Sequence, residues 1–451
     1  MRGTGELVAV AGSTLSVFAV FLLLIGAVNE EVPAPYMDEI FHVRQTQAYC
    51  AGRWSSWDPK ITTPPGLYYA SLLMLQPMAS ASGLPVAQLC RLPLLRTLNA
   101  FHAALLFLFA YHLRREQGQR QLSISLHEAA NISLFPVLAF TSLLYYTDLA
   151  SVNAVLAMLL LVRLRILVFA AVAGAAALFM RQSNIVWVAF AAGLAAHQLI
   201  LDFLHAHRPA AKQNGGRQSL VEMMSSVWRI LEREPWRCTD LLSQLFSRLG
   251  GFIFLAIGFL AFVIGNGGSL ALGDKDAHGI TFHAPQLYYA FAFIAATTAP
   301  LLLSPRCVRE VLAEWMSRPK LWLCVVLSMA GTIAGLSYDH PYLLADNRHY
   351  TFYIWKNWFK RHWSAKFLLI PGYAAAAGIL ARALKGQAQA WRLGFAICFA
   401  AYVIPNRLLE FRYFILPYLI FRLHLQPHFD RWRLTLESIL FLPHALQRFM
   451  W

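Results

Sequence analysis

Charged residues are scarce in this chain. Asp, Glu, Lys and Arg make up 14% of its 451 residues and 58% are hydrophobic, whereas about a quarter of the residues of a soluble domain are charged. Apolar runs of roughly 20 residues, the length that spans a bilayer, recur along the whole chain. The composition excludes a string of soluble domains. It predicts an all-α polytopic membrane protein in which residues 1–451 form a single membrane domain.

The chain also lacks the signatures of nucleotide and metal sites. It contains no Walker loop and no GxGxxG motif after a strand pattern, so we expect no nucleotide cofactor. Its six cysteines, at positions 50, 90, 238, 307, 324 and 398, show no paired spacing, and we expect neither a zinc site nor a disulfide framework. The loop Gly273–His278 contains Asp and His, but not in a recognised ligand pattern, and we expect no metal there.

Negative charge is the rarer sign, because the net charge is +15. Such an excess would suit nucleic acid, but here Lys and Arg lie in short connectors between apolar runs, where they orient a membrane protein with its basic loops in the cytosol. We therefore expect membrane lipids, and no nucleic acid, as partners. One long cytosolic loop is predicted at residues 205–247. The other basic connectors hold Arg114–Arg120, Arg163–Arg165, Arg306–Lys320 and Arg382–Arg392.

This orientation predicts about twelve transmembrane helices. They lie near residues 7–28, 93–112, 128–147, 149–164, 166–180, 185–204, 248–265, 285–304, 321–338, 367–383, 392–405 and 412–425. The first is interpreted as a retained helix, because no small-residue cleavage site follows it. Residues 64–78 are apolar but short for a span, so we place them in the membrane interface. If they crossed the bilayer instead, Asp148 would be cytosolic and Arg114 luminal. The amphipathic tail Arg431–Trp451 is a further candidate helix.

Two adjacent carboxylates stand in the first non-cytosolic loop, which we place at residues 29–92. Asp38 and Glu39 follow the first apolar run, and His42 comes one helical turn after Asp38. A carboxylate here can act as a general base that removes a proton from a hydroxyl nucleophile, with His42 orienting it. The alternative interpretation is a helix N-cap, since Asp is a favoured capping residue. Neighbouring helical positions point about 100° apart, so only one carboxylate can face a given reacting atom.

The other non-cytosolic connectors carry acidic, basic and aromatic residues. Asp148 begins an apolar run, either as an N-cap or as a second acidic group in the same cavity. Arg181 and Arg412 lie on the face where positive charge is unexpected. They would bind a phosphate or pair with a carboxylate such as Glu410. The segment 339–366 is dense in aromatic and hydrogen-bonding groups, which suits either a sugar-binding loop or an interfacial aromatic belt.

Several long motifs resemble the endoplasmic-reticulum dolichyl-phosphate-glucose α-1,2-glucosyltransferase family. They are Tyr36–His42, Trp57–Tyr68, Arg181–Ile185, Leu343–Tyr353, Leu408–Tyr413 and the closing Gln447–Trp451. The resemblance covers nearly the whole chain. It implies the GT-C class of membrane glycosyltransferase, with a structured first luminal loop that carries an acidic residue near the active site. It also implies a multi-pass protein of the endoplasmic-reticulum membrane.

The resemblance further implies a reaction. The family adds the last glucose, in α-1,2 linkage, to the diglucosylated lipid-linked oligosaccharide, Glc2Man9GlcNAc2-diphosphodolichol. The donor is dolichyl-phosphate glucose, so neither a nucleotide sugar nor a metal cofactor is expected. Because the donor sugar is β-linked and the new bond is α, the reaction inverts the anomeric centre.

The resemblance also gives roles by position. Asp38 matches the acidic residue of the class, with Glu39 as the fallback. From the chemistry of the leaving group, we expect Arg348, Lys356, Arg361 and Arg412 to hold the departing dolichyl phosphate. The candidate substrate-binding residues are His42, Trp57, Asp58, Asp148, Arg181, Asn184, Asp346, Asn347, His349, Tyr350 and Glu410, together with Arg348 and Arg412. The alternatives are another dolichyl-phosphate-sugar transferase of the same fold, a lipid-linked-sugar transporter, or a non-catalytic membrane partner.

Overall fold

The computed structural model of this protein is built from helices. It describes residues 2–119, 121–207, 219–275, 279–345, 349–426 and 430–445. Within these ranges the chain forms twenty-two α-helices, linked in places by 3₁₀ or π turns, and no β-strand. The first eleven are α1 (Arg2–Glu31), α2 (Glu39–Cys50), α3 (Gly66–Ser82), α4 (Val86–Leu89), α5 (Leu92–Glu116), α6 (Leu122–Ser133), α7 (Pro136–Ser142), α8 (Asp148–Arg163), α9 (Leu167–Met180), α10 (Ile185–His207) and α11 (Leu220–Arg233). The others are α12 (Arg237–Gly265), α13 (Pro285–Thr297), α14 (Ala299–Leu302), α15 (Pro305–Ser317), α16 (Pro319–Gly335), α17 (Pro341–Ala345), α18 (Tyr350–Ile354), α19 (Ile370–Ala383), α20 (Gln389–Val403), α21 (Ile415–Leu423) and α22 (Arg431–Ala445).

Several of these helices are long and apolar enough to cross a membrane. Within the described ranges five segments meet both conditions: Thr4–Glu31, Leu92–Glu116, Gln182–His207, Arg237–Gly265 and Ala365–Ala383. The helices α6 and α7 count as a sixth if they form one broken span, and α9 and α16 are apolar but shorter. The prediction of an all-helical polytopic membrane protein is therefore confirmed. A helix lies within each of the twelve predicted spans, but the number twelve stays a prediction.

A proline explains the break between α6 and α7. The two helices meet at an angle of 64°, and Pro136 is the first residue of α7. Proline cannot supply the backbone N–H of a continuing helix, and its ring disfavours helical geometry in the preceding residue. The predicted span 128–147 is therefore two helices and a turn, which leads into the motif around Asp148.

Helix α5 lies at the centre of the fold. It packs against α1, α6 and α8, and it buries Leu106, Phe107, Ala110 and Tyr111 in the main hydrophobic core. A second hydrophobic cluster lies beneath the first loop. It joins α2, α3 and the first turn of α5 through Val43, Leu67, Tyr68, Leu75 and Leu95. Apolar burial therefore fixes the loop that carries Asp38 to the end of the central helix.

A disulfide bond also holds this loop. Cys50, the last residue of α2, is bonded to Cys90, which lies two residues before α5. The expectation that the chain forms no disulfide is therefore wrong for this pair. The two cysteines are 40 positions apart, and only the hairpin of α3 and α4 brings them together, so their spacing carried no signal.

Four buried charges connect the opposite end of α5 to the last two helices. Arg114 pairs with Glu128, and Arg422 pairs with both Glu128 and Glu437, all with fully buried side chains. Arg114 is therefore not a solvated residue of a basic loop, as the orientation argument assumed. The tail helix α22 is likewise not a purely amphipathic surface helix, because its Glu437 lies in the core of the protein.

Candidate active site in the first loop

Asp38 precedes α2, and its carboxylate faces a guanidinium group. Arg412 Nη1 donates a hydrogen bond to Asp38 Oδ2 at 3.3 Å, and the backbone N–H of Asp38 donates to Tyr146 Oη at 3.1 Å. The Asp38 side chain is 46% exposed and makes no capping hydrogen bond to α2. The N-cap interpretation therefore gains no support. The geometry favours an accessible carboxylate held by one arginine.

The backbone just before Asp38 is strained. Met37 has a φ of +54°, in the left-handed region that residues other than glycine seldom adopt. Such outliers cluster at functional sites, where the surrounding contacts maintain them. Here the turn at Met37 directs the chain so that Asp38 and Glu39 reach different surroundings.

The electrostatic surroundings keep Asp38 ionised and His42 neutral. Enclosure by the surrounding loops would raise the pKa of the Asp38 carboxyl, but the charge of Arg412 holds that pKa below its ordinary value. Burial lowers the pKa of His42 to about 4. His42 Nδ1 lies 2.9 Å from Tyr68 Oη, so Tyr68 fixes the imidazole one turn after Asp38.

Glu39 has a different environment from Asp38. Its carboxylate is fully buried and accepts two hydrogen bonds from Arg96, at 2.9 and 2.5 Å. It also accepts the backbone N–H groups of Tyr36 and Tyr145. Arg96 in turn donates to the Val32 carbonyl at the end of α1. This arrangement favours a structural role for Glu39, as a clamp between the loop and α5, over the fallback catalytic role.

Arg412 connects two carboxylates. It lies in a 3₁₀ turn before α21, pairs with Glu410 at 2.8 Å as well as with Asp38, and stacks its guanidinium 5.5 Å from the centre of the Tyr146 ring. The pairing with Glu410 is the alternative that the sequence left open. Arg412 is only 13% exposed, so its two ion pairs are largely shielded from water.

A second acidic–basic pair lies on the other side of Arg412. Arg181 Nη2 lies 3.2 Å from Asp148 Oδ1, and Arg181 Nε donates to Thr147 Oγ1 at 3.1 Å. Asp148 is the first residue of α8, and Asn184 fixes the turn that carries Arg181 by donating to Ser151 Oγ and to a carbonyl at the end of α9. The two arginines meet at a small cavity. It is lined by Asp148, Ser151, Val152, Arg181, Tyr402, Arg412, Ile415 and Leu416.

Carboxylates already engage both arginines at this cavity. Among the described lining residues, Asp148 supplies one carboxylate, and Arg181 and Arg412 supply two guanidinium groups. Arg181 pairs with Asp148, and Arg412 pairs with Asp38 and Glu410, which lie outside the lining. Each guanidinium group therefore has a carboxylate partner before a substrate binds.

Two predicted residues shape the loop and do not contact the Asp38 pair. Asp58 Oδ1 accepts the backbone N–H of Lys60 at 2.9 Å, and Gln45 accepts the backbone N–H of Asp58. The Trp57 ring packs edge-on against Tyr68, with centroids 6.1 Å apart. Their contacts support the wall of the site through Tyr68.

The predicted substrate loop 339–366 is described only in part. Asp346, Asn347 and Arg348 lie outside the described residues. His349 and Tyr350 lie at the start of α18, and the charge of His349 is among those that lower the pKa of Asp38.

The rest of this loop exposes cations and aromatic rings. Lys356 and Arg361 are exposed and form no ion pair with any described residue, although Lys356 lies 5.4 Å from the centre of the Phe352 ring. Trp358 is 45% exposed and Trp363 is 74% exposed. This combination is typical of a membrane interface.

Comparison with known proteins identifies the family. Residues 32–423 match the sequence model of the DIE2/ALG10 family. The chain belongs to the DIE2/ALG10 family. The family resemblance predicted from the motifs is therefore confirmed.

Three relatives of this DIE2/ALG10 chain, from rat, human and Arabidopsis, share the name Dol-P-Glc:Glc(2)Man(9)GlcNAc(2)-PP-Dol alpha-1,2-glucosyltransferase. The Rattus norvegicus protein is 36% identical over 416 residues, which cover 90% of this chain and 87% of the relative. The Homo sapiens protein is 35% identical over 417 residues, with the same two coverages. The Arabidopsis thaliana protein is 32% identical over 522 residues, which cover 99% of this chain and 100% of the relative. No solved structure matches the chain.

Some residues of this DIE2/ALG10 site were missing from the sequence prediction. Arg96 holds Glu39, and Tyr146 holds both Asp38 and Arg412. Arg96 lies inside a predicted span, where an ionisable residue is costly and needs a partner, so this position was a detectable signal. Tyr146 stands two residues before Asp148, but aromatic residues at a membrane boundary are too common for its role to be predicted.

Close backbone packing aligns the Arg181 turn with the first loop. An ideal Cβ on Gly66, the first residue of α3, would lie 2.3 Å from the Phe179 carbonyl oxygen at the end of α9. The neighbouring Gln182 donates to the Thr62 carbonyl at 2.8 Å and to the Leu270 carbonyl at 2.9 Å. Residues 62 to 66 therefore fix the position of Arg181.

We expect Gly66→Ala to separate α3 from α9 and to displace Arg181. Overpacking against backbone should lower the free energy of unfolding by about 1–3 kcal/mol and reduce turnover of the folded fraction. Thermal unfolding in detergent and a transfer assay would measure the two effects. Gly193→Ala, in the interior of α10, is the control, because nothing lies within 4 Å of its ideal Cβ; it should not destabilise the protein, and turnover should stay unchanged. Equal behaviour of the two variants would contradict the role given to Gly66.

Proposed function

We propose that this protein transfers glucose from dolichyl-phosphate glucose, with inversion and in α-1,2 linkage, onto the lipid-linked oligosaccharide Glc2Man9GlcNAc2-diphosphodolichol. Membership of the DIE2/ALG10 family and the shared name of its relatives support the activity. One structural observation supports the mechanism. Asp38 is an accessible carboxylate, kept ionised by Arg412, whose guanidinium group also pairs with Glu410.

In the proposed reaction Asp38 acts as the general base. The acceptor hydroxyl oxygen attacks C1 of the glucose as its proton passes to Asp38, and the bond between C1 and the phosphate oxygen breaks. The bonding electrons leave with the phosphate, so the products are the new α-glucoside and dolichyl phosphate. Inversion requires the base and the leaving group on opposite faces of the sugar. Arg412 holds the carboxylate and Tyr146 holds the backbone of Asp38 before the reaction, so that little reorganisation is needed.

The cations of the 349–366 segment are proposed to hold the leaving phosphate. Lys356 and Arg361 have no carboxylate partner among the described residues, so their charges are available to an anion. Arg348 is proposed on the sequence alone. Arg412 already pairs with Asp38 and Glu410. Its main proposed role is therefore to orient the base, and contact with the phosphate is a secondary role. The exposed Trp358 and Trp363 would lie at the level of the lipid headgroups, where the polyprenyl chain enters.

The site is proposed to face the lumen of the endoplasmic reticulum. The loop that carries Asp38 also carries the Cys50–Cys90 disulfide, and disulfides persist in oxidising compartments such as that lumen. The GT-C class, the twelve spans and the absence of a metal requirement remain part of the proposal.

A reconstituted assay tests the function. Purified protein in liposomes receives dolichyl-phosphate glucose or dolichyl-phosphate mannose, together with the diglucosylated lipid-linked oligosaccharide. We expect one hexose to be added from the glucose donor only, in α-1,2 linkage as read by NMR of the released glycan. Use of the mannose donor would favour another transferase of the same class. Movement of the lipid-linked sugar across the bilayer without transfer would favour a transporter.

A further inference from the structure

One buried carboxylate oxygen at the cavity has no partner. Asp148 is 3% exposed, and its Oδ1 is paired with Arg181. Its Oδ2 is buried and accepts no hydrogen bond from the described residues. Leaving an ionised oxygen buried without a donor is costly, and native proteins seldom do so without a reason. The atom therefore indicates a ligand group that donates a hydrogen bond in the cavity.

The cavity suits a hydroxyl group better than an anion. A hydroxyl can donate to Asp148 Oδ2 while its oxygen accepts from the guanidinium of Arg181 or Arg412, both of which line the cavity. An ionised phosphate oxygen cannot donate a hydrogen bond, so it would leave Asp148 Oδ2 without a donor and place a second negative charge beside it. Val152 and Ile415 supply the apolar part of the lining, and the space between them and Asp148 fits one small polar group such as a hydroxyl.

The position of the cavity connects it to the proposed chemistry. Arg412 lines the cavity with Asp148 and also pairs with Asp38, so a hydroxyl bound there lies one guanidinium group away from the proposed base. We propose that Asp148 is a specificity-determining residue whose Oδ2 accepts a hydrogen bond from one hydroxyl of the hexose in the active site. This inference rests on the proposed function, and the hexose belongs either to the donor or to the acceptor.

Monodeoxy substrates test the proposal and distinguish the two sources. The donor series consists of dolichyl-phosphate glucose lacking the 2-, 3-, 4- or 6-hydroxyl. In the acceptor series, the terminal glucose of the oligosaccharide lacks one hydroxyl other than the one that is attacked. With the wild-type protein, one analogue should lose about 10- to 100-fold in kcat/KM, because it leaves the charged oxygen without its donor. The series that contains this analogue identifies the bound sugar.

Asp148→Asn should remove this discrimination. In the variant, kcat/KM for the parent substrate should fall by a similar factor, and the critical analogue should fall no further. Asp202→Asn is the matched control, since Asp202 is an exposed partner of Arg165 remote from the cavity, and it should keep the wild-type pattern. Full discrimination in Asp148→Asn would overturn the proposal, as would a wild-type protein that distinguishes none of the analogues.

A second variant covers the case in which Asp148→Asn fails to fold. Asp148→Glu keeps the charge and fills the cavity with one more methylene, so it should use the critical analogue at least as well as the parent substrate. A wild-type preference in this variant would also overturn the proposal. If the wild-type protein transfers no glucose at all, the proposed function fails. If it transfers glucose and the variants keep the wild-type pattern, only this inference fails.

Discussion

Asp38→Asn should reduce glucose transfer by about 100- to 10,000-fold, the usual range for removing a general base. The substitution keeps the shape of the side chain and one oxygen toward Arg412, so the loop should stay folded. What it removes is the group that accepts the proton of the attacking hydroxyl. The measurement is single-turnover transfer in liposomes, with thermal unfolding as the check on the fold. Near-wild-type turnover by folded Asp38→Asn would contradict the assignment.

A carboxylate elsewhere in the same loop provides the control. Glu30 is an exposed residue near the end of α1, with no ion pair to any described residue, and Glu30→Gln should transfer glucose at the wild-type rate.

The pH profile gives an independent check on the role of Asp38. Because the pKa of Asp38 is lowered, the base stays ionised as the pH falls, and the acid limb of its activity should lie below the ordinary Asp pKa of about 4. An acid limb near pH 6 that Asp38→Asn abolishes would contradict this environment.

Glu39→Gln should act on stability and not on the chemical step. It breaks a pair that is fully buried on both sides, and loss of one partner from such a pair costs about 3–5 kcal/mol. Arg96→Gln should cost at least as much, because Arg96 also donates to the Val32 and Ala34 carbonyls, just after α1. Thermal unfolding of both variants, with turnover corrected for the folded fraction, measures the effect.

The double variant separates the pair from its surroundings. Glu39→Gln combined with Arg96→Gln should destabilise the protein by less than the sum of the two single variants. Each single variant leaves one buried charge without its partner, whereas the double variant leaves none. The exposed pair Arg165–Asp202 is the control, and its removal should cost no more than about 1 kcal/mol. A folded Glu39→Gln with normal unfolding temperature and no turnover would instead place Glu39 in the chemical step.

The sequence predicted the elements of this protein better than their contacts. Apolar runs and basic connectors predicted an all-helical membrane protein, and helices lie at all twelve expected positions. The Asp38–Glu39 motif was visible as a pair, but the different surroundings of the two carboxylates were not. These surroundings depend on two distant arginines. Arg96, which binds Glu39, is 57 positions from it in the sequence, and Arg412, which binds Asp38, is 374 positions from it. Periodicity contains no information about such distant partners.

The same limit explains the other differences. The cysteines of the disulfide were judged by local spacing, and Arg114 of the buried cluster was judged by its place in a connector. In both cases the partner is brought into contact by tertiary packing, which local spacing does not reveal. Arg412 could be noticed as a positive charge on an unexpected face, yet either a phosphate or a carboxylate would have explained it. The structure supplies Glu410 and Asp38 as its immediate partners, and the role of Lys356 and Arg361 toward the phosphate stays a prediction.

The buried cluster at the far end of α5 has a consequence for biosynthesis. The ribosome delivers Arg114, Glu128 and Arg422 to the bilayer before it delivers Glu437, and until then two guanidinium groups share a single carboxylate. A nascent chain that stops short of α22 therefore retains an uncompensated cation within its apolar interior. Because an unpaired buried charge costs about 3–5 kcal/mol, the core at this end of α5 is complete only after α22 has been made.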